Sequence, residues 1–119
     1  MVDNKTGHLI GQLRRGVVDH CVLALLQQGE GYGFDLAKTL THAQLIAGEG
    51  TIYPLLSRLR RDGLVDTRWR ESDQGPPRRY YVLTESGQEV LENFRSQWER
   101  FKRSVDSVMA LPKEDIHAE

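Results

Sequence analysis

Two stretches decide the fold: Glu49-Gly-Thr-Ile-Tyr-Pro-Leu-Leu-Ser-Arg-Leu-Arg-Arg-Asp-Gly-Leu64 and Gly75-Pro-Pro-Arg-Arg-Tyr-Tyr-Val-Leu-Thr84. The first predicts a short helix with one apolar face and one polar, basic face. The second predicts the return strand of a β-hairpin, which begins with a Gly-Pro-Pro turn and two arginines. Such a helix fits the major groove of duplex DNA, and a cationic ribbon fits the adjacent backbone or minor groove. Together they predict a winged helix-turn-helix, a mainly α fold of the α+β class.

The helix predicted over residues 51–61 separates its side chains by polarity. Its apolar residues recur at i, i+3, i+4 and i+7 and are expected to face the core: Ile52, Leu55, Leu56 and Leu59. The opposite face is polar and basic, with Pro54, Ser57 and Arg61 flanked by Tyr53, Arg58 and Arg60. Because proline has no N–H, Pro54 must lie near the start of the helix, which places the cap at Thr51 or Glu49.

The predicted wing consists of two strands, residues 64–70 and 78–83, both rich in strand-forming side chains. The segment between them, residues 71–77, is polar and ends in Pro76 and Pro77, so we expect a loop. Prolines at the tip also protect the exposed edge of a hairpin from pairing with another chain.

Two further helices are predicted to precede this unit. Apolar residues at helical spacing predict one continuous helix over residues 9–28, with Gly16 as a small penalty inside it. A shorter helix over residues 32–41 offers four apolar side chains to the core: Phe34, Leu36, Ala37 and Leu40.

The last helix, predicted over residues 84–110, carries a heptad pattern. Its large apolar residues alternate spacings of three and four: Leu91, Phe94, Trp98, Phe101, Val105 and Val108. A monomer would leave much of this face in water, so we expect a symmetric homodimer, with the first five of these residues at the interface and Leu13 and Val17 beside them. The chain is thus divided into a DNA-binding domain, residues 1–83, and a dimerisation helix with its tail, residues 84–119.

The net charge of −1 over 119 residues conceals an uneven distribution. Residues 51–83 hold seven arginines against four acidic side chains, whereas residues 84–119 hold five basic and eight acidic ones. Positive charge is therefore concentrated where phosphate contact is predicted. Charge alone leaves a second interpretation, an arginine-rich face that is merely solvated.

Other features argue against several classes of protein. The single cysteine, Cys21, allows no internal disulfide and lies in an apolar segment, as a buried small side chain would. No apolar run is long enough to span a bilayer and the N-terminus lacks a signal-peptide pattern, so we expect a cytoplasmic protein without membrane contact. The histidines lack metal-ligand spacing, and no nucleophile elbow or phosphate-binding loop occurs, so we expect no enzyme, metal or cofactor.

Five motifs together resemble the PadR family of bacterial transcriptional regulators. In chain order they are Tyr32-Gly-Phe, Glu49-Gly-Thr-Ile-Tyr-Pro-Leu-Leu, Arg58-Leu with Asp62-Gly-Leu64, Gly75-Pro-Pro-Arg-Arg-Tyr-Tyr81 and Leu83-Thr-Glu-Ser-Gly87. The resemblance covers roughly residues 10–110, and the single helix after Leu83 is similar to the compact subfamily. It implies a dimeric repressor that occupies a double-stranded operator, an inverted repeat, and releases it when an effector or stress signal arrives.

The predicted DNA contacts fall into two groups. The helix supplies Thr51, Tyr53, Ser57, Arg58 and Arg61, and the wing supplies Gly75, Pro76, Pro77, Arg78 and Arg79. Tyr32 either places its hydroxyl on a phosphate or buries its ring in the core. The resemblance places Trp98 where drug-sensing members stack a planar aromatic effector, and interface packing is the other interpretation of this residue.

Two function classes follow from these observations. One is a sequence-specific DNA-binding regulator, and the other is a winged-helix module that contacts only proteins. The basic face of the helix and the Arg78-Arg79 pair favour the first, because a wing that binds proteins gains nothing from adjacent cations.

Overall fold

The computed structural model describes residues 9, 11–72 and 74–113. It confirms a mainly helical α+β fold with a three-stranded antiparallel sheet in the order β1-β3-β2. A 3-10 turn, Glu49–Thr51, leads into the third helix. The elements in chain order are α1 (Val18–Gln27), β1 (Gly31–Tyr32), α2 (Gly33–His42), α3 (Ile52–Arg61), β2 (Val65–Ser72), β3 (Gly75–Leu83) and α4 (Glu85–Met109).

The first helical region is interrupted, so the prediction of one continuous helix over residues 9–28 is wrong. Residues 11–14 are helical, residues 15–17 form a turn, and α1 begins at Val18. At Gly16 the backbone has a φ of 81°, a left-handed conformation that glycine adopts readily and a right-handed helix cannot contain. Gly16 therefore ends one helical segment instead of merely weakening a longer helix.

The core lies between α1, α2, α3 and the first turns of α4. Its most deeply buried large side chains come from all four helices and β2: Val22, Leu23, Leu40, Ile52, Leu56, Leu59, Val65 and Leu91. Burying a leucine or valine fully contributes about 1.5–3 kcal/mol, so this cluster is the main source of stability. The four apolar residues predicted to face inward from α3 are all buried. Phe34, which was expected in the core, is instead exposed in the first turn of α2.

The wing strands extend further than predicted, and residues 71–77 do not form a simple loop. β2 continues to Ser72, which lies opposite Gly75, and the register is irregular between Arg70 and Ser72. Pro76 and Pro77 belong to β3 beside this irregularity, where the ladder does not require the N–H that proline lacks. Strand β1 pairs with β3 at Tyr80 and Tyr81 and so does not reach the prolines.

Helix α4 begins at a cap formed by Thr84. Its Oγ1 accepts a hydrogen bond from the Gly87 N–H at 3.0 Å and donates one to the Gly63 carbonyl at 2.7 Å. Gly87 packs against the Leu64 carbonyl with no room for a Cβ atom. The helix ends at Met109, within one residue of the predicted end. Among the described residues, none of the helices combines the length and apolarity needed to cross a bilayer.

Candidate nucleic-acid interface

The outward face of α3 is polar, cationic and accessible. All five residues predicted to contact DNA from this region are exposed: Thr51, Tyr53, Ser57, Arg58 and Arg61. The last turn of α3 carries three arginines, whose charge also complements the negative end of the helix dipole. An exposed helix with short and cationic side chains is suited to a groove bordered by phosphates.

Thr51 occupies the N-cap position of α3, but its hydroxyl does not cap the helix. Its Oγ1 donates backward to the Gly48 carbonyl at 2.8 Å, across the 3-10 turn. Pro54 is the third residue of α3, where its missing N–H interrupts no helical hydrogen bond. The predicted start of the helix, with Thr51 at the N-cap position, is therefore confirmed, although the Thr51 side chain forms no capping hydrogen bond.

Two arginines of α3 have acidic neighbours, and the two contacts differ in length. Arg58 Nη2 donates to Asp19 Oδ1 of α1 at 2.7 Å. Arg61 Nε lies 3.8 Å from Asp62 Oδ1, and both of these side chains are largely exposed. An exposed ion pair of that length contributes little, so Arg61 is easily redirected to a phosphate, whereas Arg58 is held in place.

The two wing arginines rest on aromatic rings on opposite faces of β3. Successive residues of a strand alternate between faces, so Arg78 and Arg79 diverge. The Arg78 guanidinium carbon lies 5.5 Å from the centroid of the Tyr32 ring, and that of Arg79 lies 5.3 Å from the centroid of Trp69. A ring beneath a guanidinium restricts its motion while its N–H donors remain available in the plane.

Tyr32 lies half-buried where β1 passes into α2. Its ring packs edge-on against Tyr80, with the ring centroids 5.4 Å apart. At the next residue, Gly33, the Tyr53 ring of α3 comes so close that a Cβ atom would lie 2.7 Å from Tyr53 Cε1. Both tyrosines line an open groove of about 780 Å³ between α2 and the wing. The ring of Tyr32 therefore has a packing role, beside a groove that is accessible to a phosphate.

Arg70 of β2 connects the wing to the segment before β1. Arg70 donates to Glu30 Oε2 at 3.0 Å, and its guanidinium carbon lies 4.6 Å from the centroid of the Tyr80 ring. Burial raises the pKa of the Tyr80 hydroxyl, and the positive charge of Arg70 acts in the opposite direction. Because Arg70 lies on β2 and Glu30 precedes β1, this cluster connects the two edges of the three-stranded sheet.

Trp69, Asp19 and Glu30 were not among the residues predicted to contribute to this interface. Trp69 is directly opposite Arg79 in the hairpin. A sequence prediction with the correct register of β2 and β3 would therefore have placed these two side chains together. The two acids lie 39 and 40 residues from their arginine partners. Single-sequence patterns carry no signal for ion pairs at that separation, because they depend on how the helices and strands pack.

This arrangement of α3 and wing agrees with a known family. The profile of the transcriptional regulator PadR-like family matches residues 22–93, from within α1 into α4. The chain belongs to the PadR-like family. Membership confirms the resemblance inferred from the five motifs and favours a DNA-binding transcriptional regulator over a module that contacts only proteins.

Individual PadR-like and related proteins are similar over most of the chain. A transcriptional regulator of Mycobacterium tuberculosis is 32% identical over 94 residues, 79% of this chain and 87% of that protein. The crystal structure of a PadR-like regulator from Bacillus cereus is 34% identical, with a TM-score of 0.76 over 85% of this chain and 99% of that one. Bacillus subtilis PadR in complex with operator DNA is 28% identical, with a TM-score of 0.59 over 66% of this chain and 46% of that one.

In this PadR-like chain the apolar face of α4 has a buried part and an exposed part. Leu91 is 1% exposed within its own core, so the prediction that it forms the subunit interface is wrong: no surface remains for a partner. Later residues of the face are accessible, with Trp98 37%, Phe101 63% and Val105 42% exposed. The heptad pattern identified the face, but not the point at which the helix leaves its own core.

Phe94 lies half-buried between two other rings. The centroids of His20 and Phe94 are 4.0 Å apart with 6° between the planes, and those of Phe94 and Trp98 are 5.8 Å apart with 10° between the planes. His20 Nδ1 also lies 3.0 Å from the Gly16 carbonyl oxygen. Trp98 is therefore covered in part by Phe94, and it lines a shallow pocket of about 310 Å³.

Proposed function

We propose that this chain is a homodimeric transcriptional repressor whose α3 enters the major groove of an operator. The observation that carries the proposal is the outward face of α3, where every predicted contact residue is exposed and the last turn is cationic. The similar Bacillus subtilis PadR is described in complex with operator DNA, which supports the same role for the winged helix-turn-helix of this chain. Such a regulator works in the cytoplasm, where the chromosome is.

The proposed contacts divide by depth in the groove. Ser57 and Arg58 on the outward face of α3 are expected to meet base edges, with Thr51, Tyr53 and Arg61 toward the flanking phosphates. Arg78, Arg79 and the tip at Gly75, Pro76 and Pro77 are expected to meet the adjacent backbone or minor groove. Tyr32 is expected to add a hydroxyl contact from the groove beside the wing.

The proposed dimer uses the exposed part of the α4 face. Phe101, Val105 and Trp98 form an apolar strip outside the core of the subunit, with Phe94 at its edge. Covering it with a second copy removes several large apolar side chains from water at once. A two-fold axis through this strip places two copies of α3 on one side of the duplex, about one helical turn or roughly 34 Å apart, so the operator is an inverted repeat.

The proposed effector is a planar, largely apolar small molecule that stacks on Trp98 between the subunits. The pocket of about 310 Å³ supports this, since its lining includes the apolar side chains of Val17, Trp98 and Phe101. Against it, Phe94 already covers part of Trp98, and a second subunit fills some of the remaining space. Such a ligand would release DNA only if it binds more tightly to the geometry that does not fit the operator.

Titration of a duplex at several salt concentrations tests the DNA-binding proposal. A duplex enriched from a randomised pool is labelled, and its affinity for the protein is measured by fluorescence anisotropy. Three arginines per subunit, Arg61, Arg78 and Arg79, give six phosphate contacts in a dimer at most and a slope of log K against log salt of about −5. A protein-interaction module would enrich no sequence from the pool and bind no duplex at any salt concentration.

A further inference from the structure

The contact between Asp19 and Arg58 joins α1 to the outward face of α3. Asp19 Oδ1 accepts from Arg58 Nη2 at 2.7 Å, the shortest of the ion pairs described for this chain, and the two side chains are 30% and 46% exposed. The two residues are 39 positions apart, so the contact depends on the tertiary packing of the two helices. A charged hydrogen bond of this length fixes the direction of a guanidinium more strictly than solvent does.

Asp19 is itself held in place on both sides. It lies in the first turn of α1, where the positive end of the helix dipole favours a carboxylate. Its neighbours in the helix, Val18 and Val22, are buried in the core. The next residue, His20, stacks on Phe94 of α4. The carboxylate therefore projects from an anchored turn and not from a mobile loop.

We propose that Asp19 is a positioning residue that orients Arg58 for contact with the operator and thereby contributes to sequence specificity. The inference rests on the proposed function. A guanidinium has five N–H donors in one plane, so an arginine that donates a hydrogen bond from Nη2 to a carboxylate still has other N–H groups available for a base edge or phosphate. Arg58 lies on the flank of the outward face nearest α1, about one quarter-turn from the line through Ser57 and Arg61.

Two effects of Asp19 on DNA binding have opposite signs. Its negative charge repels every duplex, which lowers affinity for operator and unrelated DNA alike. Its hydrogen bond removes rotational freedom from Arg58 before DNA arrives, and this benefits only the duplex that presents an acceptor in the matching place. Removing the charge while keeping the shape therefore strengthens non-specific binding and weakens discrimination.

The test measures affinity for two duplexes, the sequence enriched from a randomised pool by the native protein and a scrambled duplex of equal length and composition. For Asp19→Asn we expect the ratio of the two affinities to fall about tenfold, the value of one well-placed base contact, while binding to the scrambled duplex is unchanged or tighter. Asp19→Glu, which keeps a carboxylate, is expected to retain most of the ratio. Asp35→Asn removes a matched charge from the first turn of α2 and is expected to leave the ratio unchanged.

A double-mutant cycle separates positioning from a structural effect. In an Arg58→Ala background, Asp19→Asn is expected to change the ratio no further, because its effect acts through Arg58. A ratio unchanged in Asp19→Asn, or one that falls equally with and without Arg58, would overturn the positioning role while leaving the proposed function intact. A native protein that prefers no duplex would overturn both.

Discussion

Replacing Phe101 by glutamate is expected to split the dimer without unfolding the subunit. Phe101 is 63% exposed in the subunit, so its side chain presents about 130 of the roughly 200 Å² that a phenylalanine offers. Two copies present about 250 Å², which at about 25 cal/mol per Å² is an upper limit near 6 kcal/mol. If a partner covers half of that area, the change costs about 3 kcal/mol, more than a hundredfold in the dimer dissociation constant.

Sedimentation velocity over a range of protein concentrations measures this directly. The native chain is expected to sediment as a dimer at micromolar concentration, and Phe101→Glu as a monomer with unchanged circular dichroism. Ser96→Glu is the matched control, because it adds the same charge on the exposed, opposite side of α4. A monomeric native chain, or a Phe101→Glu variant that dimerises as well as the control, would refute the interface.

Three further predictions concern stability, the effector and the cysteine. Thr84→Val removes the hydroxyl that caps α4 and binds the Gly63 carbonyl, so the free energy of unfolding is expected to fall by about 1 kcal/mol. Thermal denaturation should then show a melting temperature about 4–8 °C lower, and an unchanged melting temperature would contradict the role of the cap. In a Trp69→Phe background, planar dyes are expected to quench the fluorescence of Trp98, and a varied panel without quenching would leave Trp98 as interface packing only. Burial raises the pKa of the Cys21 thiol, so the thiolate fraction at neutral pH is low. Alkylation of Cys21 is therefore expected to be slower than alkylation of free cysteine, and equal rates for the two would contradict the burial of Cys21.

Local periodicity predicted the parts of the fold that depend on one element at a time. The i, i+3, i+4, i+7 pattern located the buried face of α3 because a helix repeats every 3.6 residues whatever it packs against. Pro54 located the start of the same helix for a similarly local reason, the absence of an N–H. The polar face followed as the complement of the buried one, which is why its residues are exposed as predicted.

Features that depend on partners distant in sequence were not predictable in this way. Apolar periodicity runs through Gly16 and so gives no sign of the left-handed turn that interrupts the helix there. Leu91 has the same heptad spacing as Phe101, yet it is buried in the core because α1 packs against α4. The ion pair between Asp19 and Arg58 forms only when α1 and α3 are packed together, and neither helix alone predicts it.

The central claim, that α3 and the wing read an operator together, is tested most directly by the salt dependence of binding in Arg61→Ala and Arg78→Ala. Each change removes one predicted contact from both subunits of the dimer. The slope of log K against log salt is therefore expected to become shallower by about two in each variant, with the melting temperature unchanged. Slopes and affinities equal to those of the native protein in both variants would contradict the claim.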